Sequence, residues 1–134
     1  MHTLLIDGYN VIHGVPSLRQ KLDLNIGESR ASLIHLLAGL ASAKKGNVAI
    51  HVFFDGAKAH DGFDSEPFVR GVDIHFSRGQ NADQDILDFL HRFANKAEVT
   101  VVTDDRNLAY QTSAEGAEVL SSSGLARRLA KVLP

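Results

Sequence analysis

Residues 4–12 read Leu4-Leu5-Ile6-Asp7-Gly8-Tyr9-Asn10-Val11-Ile12. The apolar run at the front is too short for a helix, is rich in branched side chains, and stops on an aspartate. The same arrangement recurs twice: Val48 to Phe54 runs into Asp55-Gly56, and Val99 to Val102 runs into Thr103-Asp104-Asp105. Such runs read as buried strands. Weaker strands are expected at Gly71 to Phe76 and Ala117 to Leu120. Segments of helical period lie between the strands, so the pattern alternates β and α and predicts a mostly parallel sheet covered on both faces, an α/β fold.

The helices carry recognisable ends. Asn25 with Glu28 has the spacing of a capping box, and Leu33, Ile34, Leu37, Leu40 and Ala41 form one apolar stripe. Lys44-Lys45-Gly46-Asn47 then supplies cations and a terminating glycine, which places a helix over 26–45. Asn81 with Gln84 opens a second helix over 82–96, with its stripe at Ile86, Leu87, Leu90, Phe93 and Ala94. Helices near 107–115 and 124–132 follow, the latter capped from Ser121-Ser122-Ser123. Residues 56–70 show neither period and read as a loop. With no linker or repeat in view, residues 1–134 are read as one domain.

Composition limits the chemistry. The chain has 134 residues, a net charge of −2 and no cysteine. A chain of this length buries roughly two-thirds of its unfolded surface and can hold a core without staples. The lack of cysteine excludes a disulfide scaffold, a thiol nucleophile and a thiolate zinc site. The near-neutral charge argues against wrapping long duplex nucleic acid. Met1-His2-Thr3 leads straight into the first strand without a basic segment or long apolar stretch, so a cytoplasmic location and no membrane association are expected. Of the 16 acidic residues, 11 are aspartates. Aspartate serves turns and caps, and it also holds hard cations.

Parallel strands point the same way, so Asp7, Asp55 and the Asp104-Asp105 pair converge at the carboxyl edge of the sheet, where open α/β folds bind ligands. Asp83, in step with Leu87 and Leu90, faces the sheet near the same edge. Crowded carboxylates raise one another's pKa unless a cation neutralises them. Oxygen donors alone suit Mg²⁺ or Mn²⁺. Such an ion can activate a water against a phosphodiester and stabilise charge on the phosphate, which makes metal-assisted hydrolysis the expected chemistry.

Four motifs taken in order, Leu4 to Ile12, Val52-Phe53-Phe54-Asp55-Gly56, Asn81-Ala82-Asp83-Gln84-Asp85-Ile86 and Val102-Thr103-Asp104-Asp105, resemble the YacP-like NYN domains, a branch of the PIN-like ribonucleases. The resemblance spans nearly the whole chain. It implies a Rossmann-like three-layer α/β/α sandwich and a metal-dependent endoribonuclease, with mRNA cleavage on the ribosome known in part of the family. It also implies site residues: Asp7, Asp83 and Asp105 as catalytic metal ligands, with Asn10 orienting Asp7 or a ligand. Asp104 stands where the family often has Ser or Asn, so it either adds to the metal site or caps a helix. Asp55 ligates or supports the metal, while Asp85 is peripheral and Asp88 lies on the surface.

Substrate contacts are expected from Arg30, Lys58, Arg78 and Arg106 to phosphates and from Tyr9 stacking on a base of single-stranded RNA. His51 and His75 lie inside strands and read as hydrogen-bonded structural residues; His13 and His60 follow strand ends and are weaker substrate candidates. Arg127 and Arg128 fall away from the site. The competing reading keeps the fold without catalysis, as an RNA- or ribosome-binding module. An aspartyl phosphatase would need an acid where Tyr9 stands, a receiver domain would need a lysine where Ser121 to Ser123 stand, and the P-loop and dinucleotide fingerprints are absent. Oligomeric state is not legible in the residues.

Overall fold

The computed structural model describes residues 1–56, 68–77 and 81–133. The elements run β1 (His2–Asp7), α1 (Gly8–Gly14), α2 (Pro16–Leu22), α3 (Ile26–Ala43), β2 (Val48–Phe54), β3 (Phe68–Val69), β4 (Val72–Phe76), α4 (Ala82–Leu90), β5 (Val99–Val102), α5 (Arg106–Ala114), β6 (Glu118–Leu120) and α6 (Ser122–Val132). The strands form one sheet in the order β3-β4-β2-β1-β5-β6. All neighbours are parallel except the short β3, which pairs antiparallel with β4 at the edge. This is the three-layer α/β/α fold expected from the alternation.

Side chains of the central strands alternate between two cores. Leu4, Ile6, Val52 and Phe54 pack with α1, α2, α3 and α6, including Ile12, Leu18, Leu33, Leu37 and Leu125. Leu5, Phe53, Val99 and Val101 face the other way, onto Ile86 and Leu90 of α4 and Leu108 of α5. Each fully buried leucine contributes about 1.5–3 kcal/mol, so both layers are held mainly by burial. No helix among the described residues is long and apolar enough to cross a membrane.

Several sequence-based boundaries are corrected. The short helices α1 and α2 carried no assignment, because seven residues hold too few turns for a periodic signal. The break between them is at Val15-Pro16, where Val15 is extended and Pro16 opens α2. The helix expected over 82–96 ends at Leu90: His91, Arg92 and Phe93 close tight turns onto Leu87, Phe89 and Leu90, and Asn95 caps a separate 3₁₀ turn. Phe68 and Val69, inside the expected loop 56–70, form β3. Lys58, Arg78 and His60 lie outside the described residues.

Candidate active site

The parallel register aligns the strand ends. Asp7 of β1 lies beside Phe53 of β2, and Ile6 lies beside Val102 of β5, so Thr103 follows next to Asp7. The close approach of β1 to β2 explains the glycine after Asp7: a Cβ at Gly8 would run into the Phe54 ring and lie 2.9 Å from the Phe53 carbonyl oxygen.

A cavity of about 260 Å³ opens at this edge, lined by Asp7, Tyr9, Asn10, His13, Phe53, Asp55, Asn81, Ala82, Asp83 and Asp105. Four of the five acids expected at the site thus share it. Larger cavities lie elsewhere, around Leu40 and Arg128 and around Leu36 and Arg70, and neither includes these acids. The carboxylates, not size, single out this cavity.

Asp7 is 7% exposed. It occupies the N-cap position of α1, yet its carboxylate makes no cap hydrogen bond. Instead it accepts a 2.9 Å bond from the Thr103 hydroxyl. That same hydroxyl accepts from the Asp105 backbone N–H at 3.0 Å. Thr103 therefore ties Asp7 to the turn that carries Asp105. Sequence reasoning treated Thr103 only as part of a motif; its place one residue past an apolar run, level with Asp7, was the available signal.

Asp105 caps α5, one carboxylate oxygen accepting from Asn107 and Leu108 N–H. Asp83, in the first turn of α4, lines the same cavity. Burial raises the Asp83 pKa, and the neighbouring Asp105 carboxylate raises it further. Burial pushes Asp7 up to about 7; the Thr103 bond opposes this, while the charges of Asp83, Asp105 and Asp104 add to it. Asp7 and Asp83 thus resist ionisation until something positive enters.

Two expected contacts fall elsewhere, and a third lies outside this cavity. Arg30 is fully buried and cannot be a surface phosphate contact. It precedes Leu33 and Ile34 by one helical turn, on the apolar stripe of α3, and its Nη1 donates to the Tyr9 hydroxyl at 2.8 Å. Tyr9 is 8% exposed, with its ring 5.0 Å from that of Phe54, so it is a packed wall of the cavity and not a stacking platform. Arg106 is exposed on α5 and lines a separate cavity with Tyr110.

Two further readings change. The Asp104 carboxylate turns away from the cavity, accepting from the backbone N–H and the hydroxyl of Ser122, so it anchors the start of α6 and is no member of the acidic wall. Asn10 does not hydrogen-bond Asp7; its Oδ1 accepts from the Asp104 N–H at 2.6 Å and fixes that turn. His51 and His75 are 3.0 Å apart between Nδ1 and Nε2 and pack on Phe89, with pKa values lowered chiefly by burial. This is the hydrogen-bonded pair expected inside strands.

Asp7, Asp55, Asp83 and Asp105 offer oxygen donors alone, the set that suits Mg²⁺ or Mn²⁺. Among the described residues no three acidic or histidine side chains are already gathered to hold a metal ion. Mg²⁺ keeps several waters and binds through few carboxylates, so the donor chemistry fits an open, partly hydrated ion.

Similar proteins share this frame. The family model for the YacP-like NYN domain matches residues 4–133. Two crystal structures of Rae1 (YacP) from Bacillus subtilis, one of them of a tryptophan-to-leucine mutant, are 27% identical to this chain. Their TM-scores are 0.79 and, for the mutant, 0.78; 98% of this chain is covered, against 75% and 77% of theirs. No curated protein matches.

Proposed function

Because this chain belongs to the YacP-like NYN domain family, a PIN-like nuclease family, we propose that it is a divalent-metal-dependent endoribonuclease that hydrolyses RNA phosphodiester bonds at the Asp7 cavity, with messenger RNA on the ribosome as a candidate substrate. The observation that carries the reading is the crowding at that cavity. Asp7 is pushed up to about 7 by burial and by the charges of Asp83, Asp105 and Asp104, and burial and Asp105 raise the Asp83 pKa too, an arrangement that favours a bound cation.

Asp7, Asp83 and Asp105 would hold Mg²⁺ or Mn²⁺, with Asp55 alongside. Bound there, the ion supplies positive charge against the phosphate and makes a water acidic enough to attack. The chain's own residues do the positioning. Thr103 keeps one Asp7 oxygen in place through its hydroxyl proton, and the α5 amides fix one Asp105 oxygen. Asp7 and Asp83, whose pKa values are raised, would give up protons when a cation enters, so metal binding would release protons.

A second reading, a non-catalytic RNA- or ribosome-binding module, is favoured by the lack of a ready three-ligand cage among the described residues. One experiment separates the two: defined RNA and DNA strands incubated with Mg²⁺ or Mn²⁺, with and without ribosomes, using the natural chain and Asp83→Asn. Cleavage of RNA that needs metal and vanishes in Asp83→Asn supports the nuclease. Intact RNA after long incubation under all conditions, with RNA or ribosomes still bound, supports the module.

A further inference from the structure

We propose that the outer face of α5 is a nucleobase-stacking subsite for single-stranded RNA flanking the acidic cavity, with Tyr110 as its platform and Arg106 as its phosphate contact; this rests on the nuclease reading above. Tyr110 is 75% exposed, whereas Tyr9 is packed inside. A tyrosine left this open shows water a π face on which any base stacks. Arg106 lies four residues earlier and so on the same side of the helix, one turn nearer the cavity. The two share a cleft of about 480 Å³ with Ala109, Ser113, Ala114 and Val119. Alanine and serine at those positions leave the flank of the ring clear.

Continuity with the acidic cavity favours RNA. Asp105, which lines that cavity, is the N-cap of α5, and at 1.5 Å per residue Tyr110 lies about 7 Å farther along the helix axis. A strand whose phosphate sits at Asp7 and Asp83 thus meets first a cation and then an aromatic ring. No acidic residue lines the α5 cleft. A protein partner would want a broader apolar patch, and among the described residues lining this cleft only Tyr110 and Val119 are exposed large apolar ones.

The sequence holds two tyrosines and no tryptophan; Tyr9 lines the acidic cavity, so the part of the emission change that disappears with Tyr110 reports on the subsite. Binding of a short single-stranded RNA to Asp83→Asn protein, which leaves the strand uncut, should quench that emission. Adding Tyr110→Ala should remove the Tyr110 part of the quench and raise Kd about 5- to 100-fold, while Tyr110→Trp should restore affinity. Arg106→Gln should reduce the slope of log K against log salt by about 0.7. An unchanged Kd in the Tyr110→Ala protein would overturn the subsite alone and leave the patch to a protein partner. RNA that neither binds nor is cleaved would overturn the nuclease reading with it.

Discussion

Removing the charge of Asp7 should stabilise the metal-free protein, and only above a certain pH. An aspartate has a pKa of 3.8 in the unfolded chain and about 7 in the folded one. The folded state therefore binds its proton more tightly, and stability falls as pH rises from about 4 to 7; above 7 the whole penalty is present. At about 1.4 kcal/mol per tenfold change in proton affinity, the penalty is about 4 kcal/mol. Asp7→Asn keeps an oxygen for the Thr103 hydroxyl and cannot ionise. In EDTA at pH 8.5 it should be more stable than the natural chain by about 4 kcal/mol, or roughly 15 °C in Tm. Near pH 3.5 the two should nearly coincide. Urea denaturation followed by circular dichroism at both pH values measures this. Equal stability at pH 8.5, or a difference that does not change with pH, would refute the account of Asp7 as a buried, crowded carboxylate. Adding Mg²⁺ at pH 8.5 should then raise the stability of the natural chain and leave Asp7→Asn unmoved.

Other substitutions probe the supports of the site. Thr103→Val deletes the bond that lowers the Asp7 pKa, so it should cost about 1–3 kcal/mol at pH 8 and less at pH 4, read from the same denaturation curves. Gly8→Ala places a methyl group against Phe54 and the Phe53 carbonyl and should cost about 1–3 kcal/mol in thermal melts. Arg30→Ala should destabilise by about 3 kcal/mol or more by opening a cavity and stripping the Tyr9 hydroxyl of its donor. The salt dependence of RNA binding should not change in Arg30→Ala, because that guanidinium never meets the strand; a flatter slope would restore it as a phosphate contact.

The strand ends were readable because three apolar runs each stop at an aspartate, and parallel pairing brings those stops to one edge. Asp83 was readable because its helical phase matches Leu87 and Leu90. Asp104 was not, since nothing local shows that its carboxylate would be taken by Ser122, eighteen residues on. Arg30 illustrates the opposite failure: its phase put it on the buried stripe of α3, but its charge suggested solvent. A long cation can lie inside when a hydroxyl such as that of Tyr9 receives it, and that partner is visible only in three dimensions. Tyr110 escaped notice because exposure of one aromatic among small residues has no signature in spacing.

The central place of β1 has a consequence for synthesis. Asp7 and Asp55 leave the ribosome before the sheet neighbour β5 and before the residues that tie down and complete the acidic wall, Thr103 and Asp105. On the proposed reading, a half-made copy carries acids but no competent cutting centre. On that reading the early acids stay without cutting power toward a message until β5 and the turn after it have emerged.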